Sequence, residues 1–222
     1  MLKKTLIYEN SLASEEDLKD FIIEGSARLS FQNNRLRMQN GLDSNLGQKA
    51  NFVLWCKRNF TQNIEVEWDF WPISEPGLCI LFFAAKGISG EDLFDPKLAK
   101  RTGEYDLYHH GDINAFHVSY FRRMWKEERS FHTCNLRKSY GFHMVCQGAD
   151  PIPSVEDTVC PYHIRLVNLN NVISFYINDL LIFKWEDDGK AYGPWLTDGK
   201  IGFRQMAPLV AEYSNLKVFS FA

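Results

Sequence analysis

The sequence lacks the segments that mark several large protein classes. None of its apolar runs approaches the roughly 18 residues of a membrane-spanning helix. No Gly/Ser-rich linker interrupts it, so we expect one domain over residues 1–222. The GISG stretch has no Lys-Ser or Lys-Thr successor, and no Gly-x-Ser-x-Gly occurs. These absences argue against a membrane protein, a P-loop nucleotide enzyme and an α/β-hydrolase.

Cysteine is scarce, odd in number and without Cys-x-x-Cys spacing. Five free, reduced thiols are therefore predicted, which fits a cytoplasmic protein. The start, MLKKTLIYENSLASEED, has two lysines but too short an apolar stretch for a signal peptide. An exported protein whose signal has been removed stays the alternative.

Charge is unevenly distributed. The net charge is −3, but residues 97–138 hold nine Lys or Arg against five acids, a local charge of +4 that leaves −7 elsewhere. A nucleic-acid-binding protein usually shows a broad basic face. One basic segment in an acidic chain instead favours a local anionic ligand and no nucleic-acid partner, although a solvated loop with incidental positive charge has the same composition.

The C-terminal region reads as short strands in series. Ile173, Phe175 and Ile177 alternate with more polar neighbours, at the period of two that a pleated strand imposes. Asn170-Asn171 and Asn178-Asp179 stand where tight hairpins need residues that tolerate positive φ. Such spacing predicts an all-β protein, with two antiparallel sheets packed as a sandwich.

The same pattern extends over the rest of the chain, for a total of about twelve to fifteen strands. Helix is expected only at residues 14–20 and 91–100. Strands are predicted at Leu6–Tyr8, Phe21–Glu24, Ala27–Phe31, Leu36–Met38, Asn51–Cys56, Ile64–Trp71, Leu78–Ala85, Tyr105–Tyr108, Asn114–Arg122, Phe131–Leu136 and Phe142–Cys146.

Several segments carry a family resemblance. The C-terminal series YHIRLVN, ISFYINDLLIF, GKIGFRQM and YSNLKVFSF resembles the usual ending of the concanavalin A-like lectin and glucanase superfamily, which includes galectins. The whole chain, with WDFWP, DINAFHVSYFRR and NLRKSYGFH, resembles an uncharacterised galectin-like family from bacterial pectin (rhamnogalacturonan) utilisation clusters. The resemblance implies a jelly roll and a glycan context, and carries no established reaction.

Three carboxylates, Glu65, Glu67 and Asp69, occupy one face of a predicted strand. Glycosidases need a pair of carboxylates, but the E-x-D-x-x-E pattern of family-16 glucanases is not matched here. The opposite face carries the core stripe Val66, Trp68 and Phe70. A solvated sheet face is therefore the main interpretation, with ligand contact or glycosidase chemistry as alternatives.

The segment 112–138 is rich in hydrogen-bond donors. β-Elimination on a uronate glycan needs a donor that neutralises the sugar carboxylate, and a His or Tyr that moves protons. His117, Tyr120 and Arg122 are the predicted catalytic residues. The predicted substrate-binding residues are Arg123, Asn135, Arg137, Lys138, Trp125, Trp195 and His109; each could equally have only a structural role.

Strand alternation decides which of these side chains face a groove. Phe116, Val118 and Tyr120 form the better core stripe, which would leave His117, Ser119 and Arg123 in the groove. A catalytic Tyr120 then needs a β-bulge. If His117 and Arg123 prove buried between the sheets, the face of Tyr120 and Arg122 becomes the candidate.

No metal or other cofactor is predicted. Adjacent His109 and His110 on a strand would point to opposite faces, and His109 with Asp112 lacks a third ligand. A loop calcium site at the paired aspartates, without EF-hand spacing, is left open; the pairs are Asp92/Asp95 and Asp187/Asp188.

Sugar rings stack on exposed indoles, and Trp125 and Trp195 fall in loops. We therefore expect a protein that binds acidic, pectin-derived oligosaccharides in the groove of a concave sheet and, in the enzymatic alternatives, also processes them. The alternatives are a lyase or, less favoured, a glycosidase on the same ligands, and a structural protein. Edge strands favour a homodimer.

Overall fold

The computed structural model describes residues 3–222 and has fifteen strands in two antiparallel sheets. Sheet I has the order β13-β12-β11-β6-β15-β4-β3, with β1 also paired to β15. Sheet II has the order β10-β9-β8-β7-β14-β5-β2. The predicted all-β sandwich is therefore confirmed. Within the described part of the chain, no helix is long and apolar enough to cross a membrane.

The strands of sheet I are β1 (Lys4–Asn10), β3 (Ala27–Gln32), β4 (Arg35–Asn40), β6 (Ile64–Ser74), β11 (Tyr162–Leu169), β12 (Val172–Ile177), β13 (Leu180–Glu186) and β15 (Val210–Phe221). Those of sheet II are β2 (Phe21–Gly25), β5 (Phe52–Cys56), β7 (Leu78–Gly87), β8 (Ile113–Tyr120), β9 (Thr133–Ser139), β10 (His143–Ala149) and β14 (Lys200–Met206).

Helix is confined to short turns. The α-helices are α1 (Asp106–His109) and α2 (Lys126–Ser130), and 3₁₀ turns cover Glu16–Asp20, Ser44–Ala50 and Val155–Asp157. The expected helical turn within 14–20 is confirmed, whereas 91–100 contains none. The strand predicted at Tyr105–Tyr108 is wrong. Four residues, three of them apolar or aromatic, are too few to distinguish the period of a strand from that of one helical turn.

The hairpins predicted at Asn170-Asn171 and Asn178-Asp179 form as expected, and a further one joins β3 to β4 at Asn33-Asn34. Asn33-Asn34, Asn170-Asn171 and Asn178-Asp179 all have positive φ, between 48° and 63°. Asn and Asp adopt this conformation at low cost, because their short polar side chains hydrogen-bond locally. The turns fix the register of β3 with β4, and of β11 with β12 and β13.

Aromatic side chains from both sheets interlock in the core. Tyr120 of sheet II contacts Trp68, Phe70 and Phe175 of sheet I, at ring-centroid distances of 5.8, 5.3 and 6.1 Å. Phe203 packs at 5.4 Å against Trp68 in the same way. The stripe of Phe116, Val118 and Tyr120 predicted on β8 is therefore inward-facing. Burying each such ring contributes about 1.5–3 kcal/mol.

The alternation of β8 breaks immediately after Tyr120. Phe121 has φ of +46° and enters the core beside Tyr120, so two consecutive side chains point inward. Arg122 then points outward and Arg123 turns in. Arg123 is fully buried, donating through Nη2 to the Ile152 carbonyl at 2.5 Å and lying 3.3 Å from Asp150. The expectation that Arg123 faces the groove is wrong for this reason.

Lys138 is also turned away from the groove. Its Nζ donates to Asp187 Oδ2 at 2.6 Å and to the Gly193 carbonyl at 3.0 Å, and both members of the ion pair are buried. Trp195, half-exposed in the adjoining loop, donates through Nε1 to the Asp187 carbonyl at 2.9 Å. Lys138 and Trp195 therefore belong to one structural cluster that joins β9 to the loop after β13.

The outer face of sheet I is occupied by ion pairs within the chain. Lys4 of β1 bonds Glu65 and, at 2.9 Å, Glu67. Asp69 accepts from Asn215 at 2.7 Å and lies 2.9 Å from His163 Nδ1. Glu65 is buried rather than solvated, and burial raises its pKa. These acids therefore already have partners, which weakens the glycosidase interpretation.

All five cysteines are free thiols. Cys56, Cys79 and Cys134 are fully buried, and Cys146 and Cys160 partly so. Cys79 lies 3.2 Å from the Tyr213 hydroxyl, deep between the sheets. Burial raises the pKa of Cys79 to about 12.

Lys138→Met should destabilise the protein by about 3–5 kcal/mol, because it leaves the buried Asp187 carboxylate without its cation. Urea unfolding measures the loss. Lys19→Met, which removes an exposed ion pair with Glu16, is the control and should change stability by less than about 0.5 kcal/mol. A cost below about 1 kcal/mol for Lys138→Met would contradict the structural role.

Candidate functional site

A long loop covers part of the outer face of sheet II. Residues 88–112 fold back over the sheet, and Leu93 and Tyr108 pack there on Trp55 and Phe82 in a second apolar cluster. Tyr108 lies 5.4 Å from Phe82, ring centroid to centroid. The loop leaves the central part of β7, β8, β9 and β14 open beside it, and the candidate site lies there.

This opening is a cavity of about 250 Å³, which we call the arginine groove. Its lining combines apolar side chains with hydrogen-bond donors on the outer faces of four strands. The lining residues are Gln48, Leu78, Ile80, Tyr105, Ser119, Arg122, Trp125, Asn135, Arg137, Phe142, Arg204 and Met206.

Arg137 has no carboxylate partner among residues 3–222. Its guanidinium lies 3.6 Å above the Phe142 ring and donates one hydrogen bond to the Phe142 carbonyl, at 3.1 Å. Burial, together with the charge of Arg122, lowers the pKa of Arg137. The remaining N–H groups of this cation are therefore free to meet an anion.

Arg204 is an almost fully buried cation that likewise has no acidic partner in the described chain. Nη2 donates to Gln48 Oε1 at 3.0 Å and to the Gly103 carbonyl at 3.1 Å, whereas Nε has no partner. Burial lowers the pKa of Arg204 to about 10. An uncompensated buried charge is costly, which makes Arg204 a candidate site residue.

Arg122 is the third guanidinium, and it is held in place by Glu128 of α2. The other oxygen of Glu128 accepts from the backbone N–H of Met124 and Trp125, at 3.1 and 3.3 Å. One carboxylate thus fixes Arg122 and the start of α2 together. Trp125, half-exposed at this position, presents its indole at the groove wall.

A Tyr–His pair lies under the groove. The Tyr105 hydroxyl is 2.7 Å from His117 Nδ1, and His117 Nε2 is 2.9 Å from Ser139 Oγ. Burial raises the pKa of Tyr105 to about 12 and holds that of His117 well below its usual range. Both groups are therefore neutral near pH 7, and hydrogen bonds link Tyr105 through His117 to Ser139.

The structure separates the predicted site residues into three groups. Lining the arginine groove are Arg122, Trp125, Asn135 and Arg137. Next to it are His117, beneath Tyr105, and His109, whose ring lies 4.5 Å from that of Phe142. Elsewhere are Tyr120 in the inter-sheet core and, as described above, Arg123, Lys138 and Trp195.

Tyr120 cannot reach the groove from its place in the core. The register of β8 with β7 is regular from Phe116 to Tyr120, whose partner is Cys79, so no bulge redirects Tyr120. The register shift of this pair lies at the other end, between Phe83 and Lys86 of β7, and the positive φ of Phe121 comes after the strand. The cavity also contains residues that were not predicted: Gln48, Tyr105, Phe142 and Arg204. Of these, Arg204 had a sequence signal, because it alternates with Ile201 and Phe203 on a strand with a buried face.

A larger cavity, of about 760 Å³, lies between β2 and the 93–104 segment. Its one deeply buried cation, Arg101, is bonded to Glu24 at 2.8 Å and to the Leu93 carbonyl at 2.7 Å. The residues that line a cavity do not by themselves identify it as a ligand-binding site. The arginine groove is the stronger candidate because two of its cations, Arg137 and Arg204, lack an acidic partner among residues 3–222.

The sequence matches the family described as a domain of unknown function, DUF1961, over residues 5–218. Because that match spans nearly the whole chain, the protein belongs to this family. It is 54% identical over 212 residues to the uncharacterized protein YesU of Bacillus subtilis (strain 168), covering 96% of this chain and 94% of the relative.

Comparison with two solved structures shows which known fold this one resembles. A Bacillus subtilis protein of unknown function with a galectin-like fold matches with a TM-score of 0.95 and 52% identity, over 100% of this chain and 99% of that one. The carbohydrate-binding module CBM66 from Bacillus subtilis matches with a TM-score of 0.56 and 12% identity, over 89% and 93% of the two chains. The fold is therefore galectin-like.

His117 should make stability depend on pH. Burial depresses the pKa of His117 in the folded protein. Below about pH 6.5 the unfolded chain therefore binds a proton that the folded protein does not, and the free energy of unfolding decreases as the pH is lowered. His117→Gln should reduce the slope of unfolding free energy against pH by up to about 1.4 kcal/mol per unit between about pH 6.5 and 5. Urea unfolding at several pH values measures it. An equal reduction in His143→Gln, an exposed control, would contradict this assignment.

Proposed function

We propose that this protein binds acidic oligosaccharides in the arginine groove, with pectin-derived (rhamnogalacturonan) fragments as the favoured class. The observation that carries the proposal is the pair of guanidinium groups, Arg137 and Arg204, that share one cavity without an acidic partner in the described chain. An anion entering the cavity would supply the missing charge.

The rest of the lining suits a sugar acid. A planar guanidinium binds a carboxylate through two parallel hydrogen bonds. A uronate carries such a carboxylate on its sugar ring. Trp125 and Phe142 offer flat faces to sugar C–H groups. Ser119 and Asn135 offer donors and acceptors for hydroxyls. This combination of cations, rings and amides distinguishes the groove from a simple phosphate site.

Two further considerations support a glycan ligand. The fold is shared with a protein named as a carbohydrate-binding module, although at 12% identity the likeness concerns the fold. The pectin context rests on the sequence resemblance described above. Cytoplasmic location, the single-domain organisation and a homodimer stay predictions; size-exclusion chromatography with light scattering would test the last.

Arg137→Lys should weaken binding of an oligogalacturonate or rhamnogalacturonan fragment, because lysine keeps the charge but cannot form the bidentate pair. The expected loss is about 1.5–3 kcal/mol, measured by titration calorimetry. A carboxyl-reduced, neutral version of the same oligosaccharide should bind both proteins alike.

Arg165→Lys is the matched control. Arg165 also stacks on an aromatic ring, Tyr176 at 3.8 Å, but lies on the outer face of sheet I. It should leave acidic-ligand affinity unchanged. Binding that is equally sensitive to both changes, or insensitive to Arg137→Lys, would count against the groove as the site.

A second candidate function is β-elimination, favoured by the hydrogen bond between Tyr105 and His117 beside Arg137. In that reaction a base takes the proton from the carbon next to the carboxylate, the glycosidic oxygen on the neighbouring carbon leaves with a proton, and a C=C bond forms. Arg137 and Arg204 would stabilise the charge that develops on the carboxylate. Tyr105 and His117 would transfer the protons.

If the protein is a lyase, acidic oligosaccharides should yield unsaturated products that absorb in the ultraviolet and keep the summed mass of the substrate. Tyr105→Phe should lower that rate by at least about 100-fold, as expected for loss of a proton-transfer group, while retaining binding. Products that gain the mass of water would indicate hydrolysis. An unchanged ligand would leave binding as the function.

A further inference from the structure

The α1 turn brings three potential metal-ligating side chains to one point. Asp106, His109 and His110 stand at positions i, i+3 and i+4, which share one face of a helix. Sequence reasoning placed the two histidines on a strand, pointing to opposite faces. The helical turn reverses that conclusion, because it carries both rings to the same side as Asp106.

The ligand atoms are close enough to share one ion. His109 Nδ1 lies 2.7 Å from His110 Nδ1, and Asp106 Oδ1 lies 3.2 Å from His110 Nδ1 and 3.9 Å from His109 Nδ1. Metal–nitrogen and metal–oxygen bonds of about 2.0–2.2 Å put neighbouring ligand atoms about 2.9–3.5 Å apart. The separations differ from that range by only a few tenths of an ångström, and the exposed Asp106 and His110 side chains have room to adjust.

The surroundings give the cluster a fixed side and an open side. The buried His109 ring is held between Phe142 at 4.5 Å and Tyr105 at 4.8 Å, ring centroid to centroid. His110 and Asp106 are exposed to solvent. A rigid first ligand with two adaptable ones, open to water, resembles the three-ligand arrangement of metal sites that keep positions free.

We propose that Asp106, His109 and His110 bind one divalent first-row transition metal ion at the rim of the arginine groove. Two imidazole nitrogens and one carboxylate oxygen favour Zn²⁺, Ni²⁺ or Cu²⁺ over the oxygen-preferring Mg²⁺ and Ca²⁺. The ion would stand beside Tyr105 and Phe142, which line the groove. The proposal is independent of what the groove binds.

The test uses tag-free, chelator-treated protein, because a polyhistidine tag would itself bind the probe. Titration calorimetry with Zn²⁺ and Ni²⁺ should give one site per chain. The Cu²⁺-loaded protein should show an electron paramagnetic resonance spectrum with nitrogen hyperfine splitting from two imidazoles. Mg²⁺ should not compete.

His110→Ala and Asp106→Asn should each weaken Zn²⁺ binding at least tenfold. Both side chains are exposed, so the fold should persist, with an unchanged melting temperature as the check. His163→Ala is the matched control: His163 forms the same kind of pair with an aspartate, Asp69 at 2.9 Å, on the other sheet. Absent stoichiometric binding, or affinity unchanged in His110→Ala, or an equal loss in His163→Ala, would overturn the proposal.

Discussion

The alternation of side chains along β8 is the constraint on which both the core and the candidate site depend. Its inward residues lock the two sheets together through aromatic contacts, most directly those of Tyr120 with Trp68 and Phe70. Of its outward residues, Ser119 lines the groove and His117 lies beneath Tyr105, next to the groove. The left-handed backbone at Phe121 then reverses the order, so that Arg122 reaches the groove and Arg123 the interior.

The buried cations of this protein have two different environments. At Arg123 with Asp150, and at Lys138 with Asp187, each cation is matched by a carboxylate from elsewhere in the chain, and the pair holds structural segments together. In the groove, Arg204 is buried, and its hydrogen-bond acceptors within residues 3–222 are neutral: Gln48 Oε1 and the Gly103 carbonyl. Folding that leaves a charge in this condition costs stability, and a ligand of opposite charge restores it. This contrast separates the structural cations from those of the site.

The fold was predictable because it rests on local patterns that a sequence displays. Period-two alternation and Asn-rich turns set the strands and hairpins, and they gave the inward stripe of β8 correctly. The site was predictable only in part. Arg137 and Asn135 followed from the donor-rich composition of the segment 112–138, whereas Tyr105 and Gln48 lie in loops whose path depends on tertiary packing.

Two local errors misled the site prediction for a physical reason. Phe121 has the left-handed backbone conformation, and this reverses which of the following side chains, Arg122 and Arg123, faces the groove and which faces the interior. The sequence Phe-Arg-Arg does not predict positive φ at a phenylalanine. One turn of helix at α1 is too short to show a period of its own. Both features are set by long-range contacts, here by Arg123 docking on Asp150 and by His109 packing on Phe142.

The burial of three of the five thiols has a consequence for how this chain reacts with electrophiles. Thiolate, not thiol, is the attacking species, and the raised pKa of Cys79 leaves almost none of it at neutral pH. Cys146 and Cys160, partly exposed, would be alkylated from the native state. Modification of Cys56, Cys79 and Cys134 would require the sheets to separate. The rate of the slow phase of alkylation therefore reports how often the whole sandwich opens.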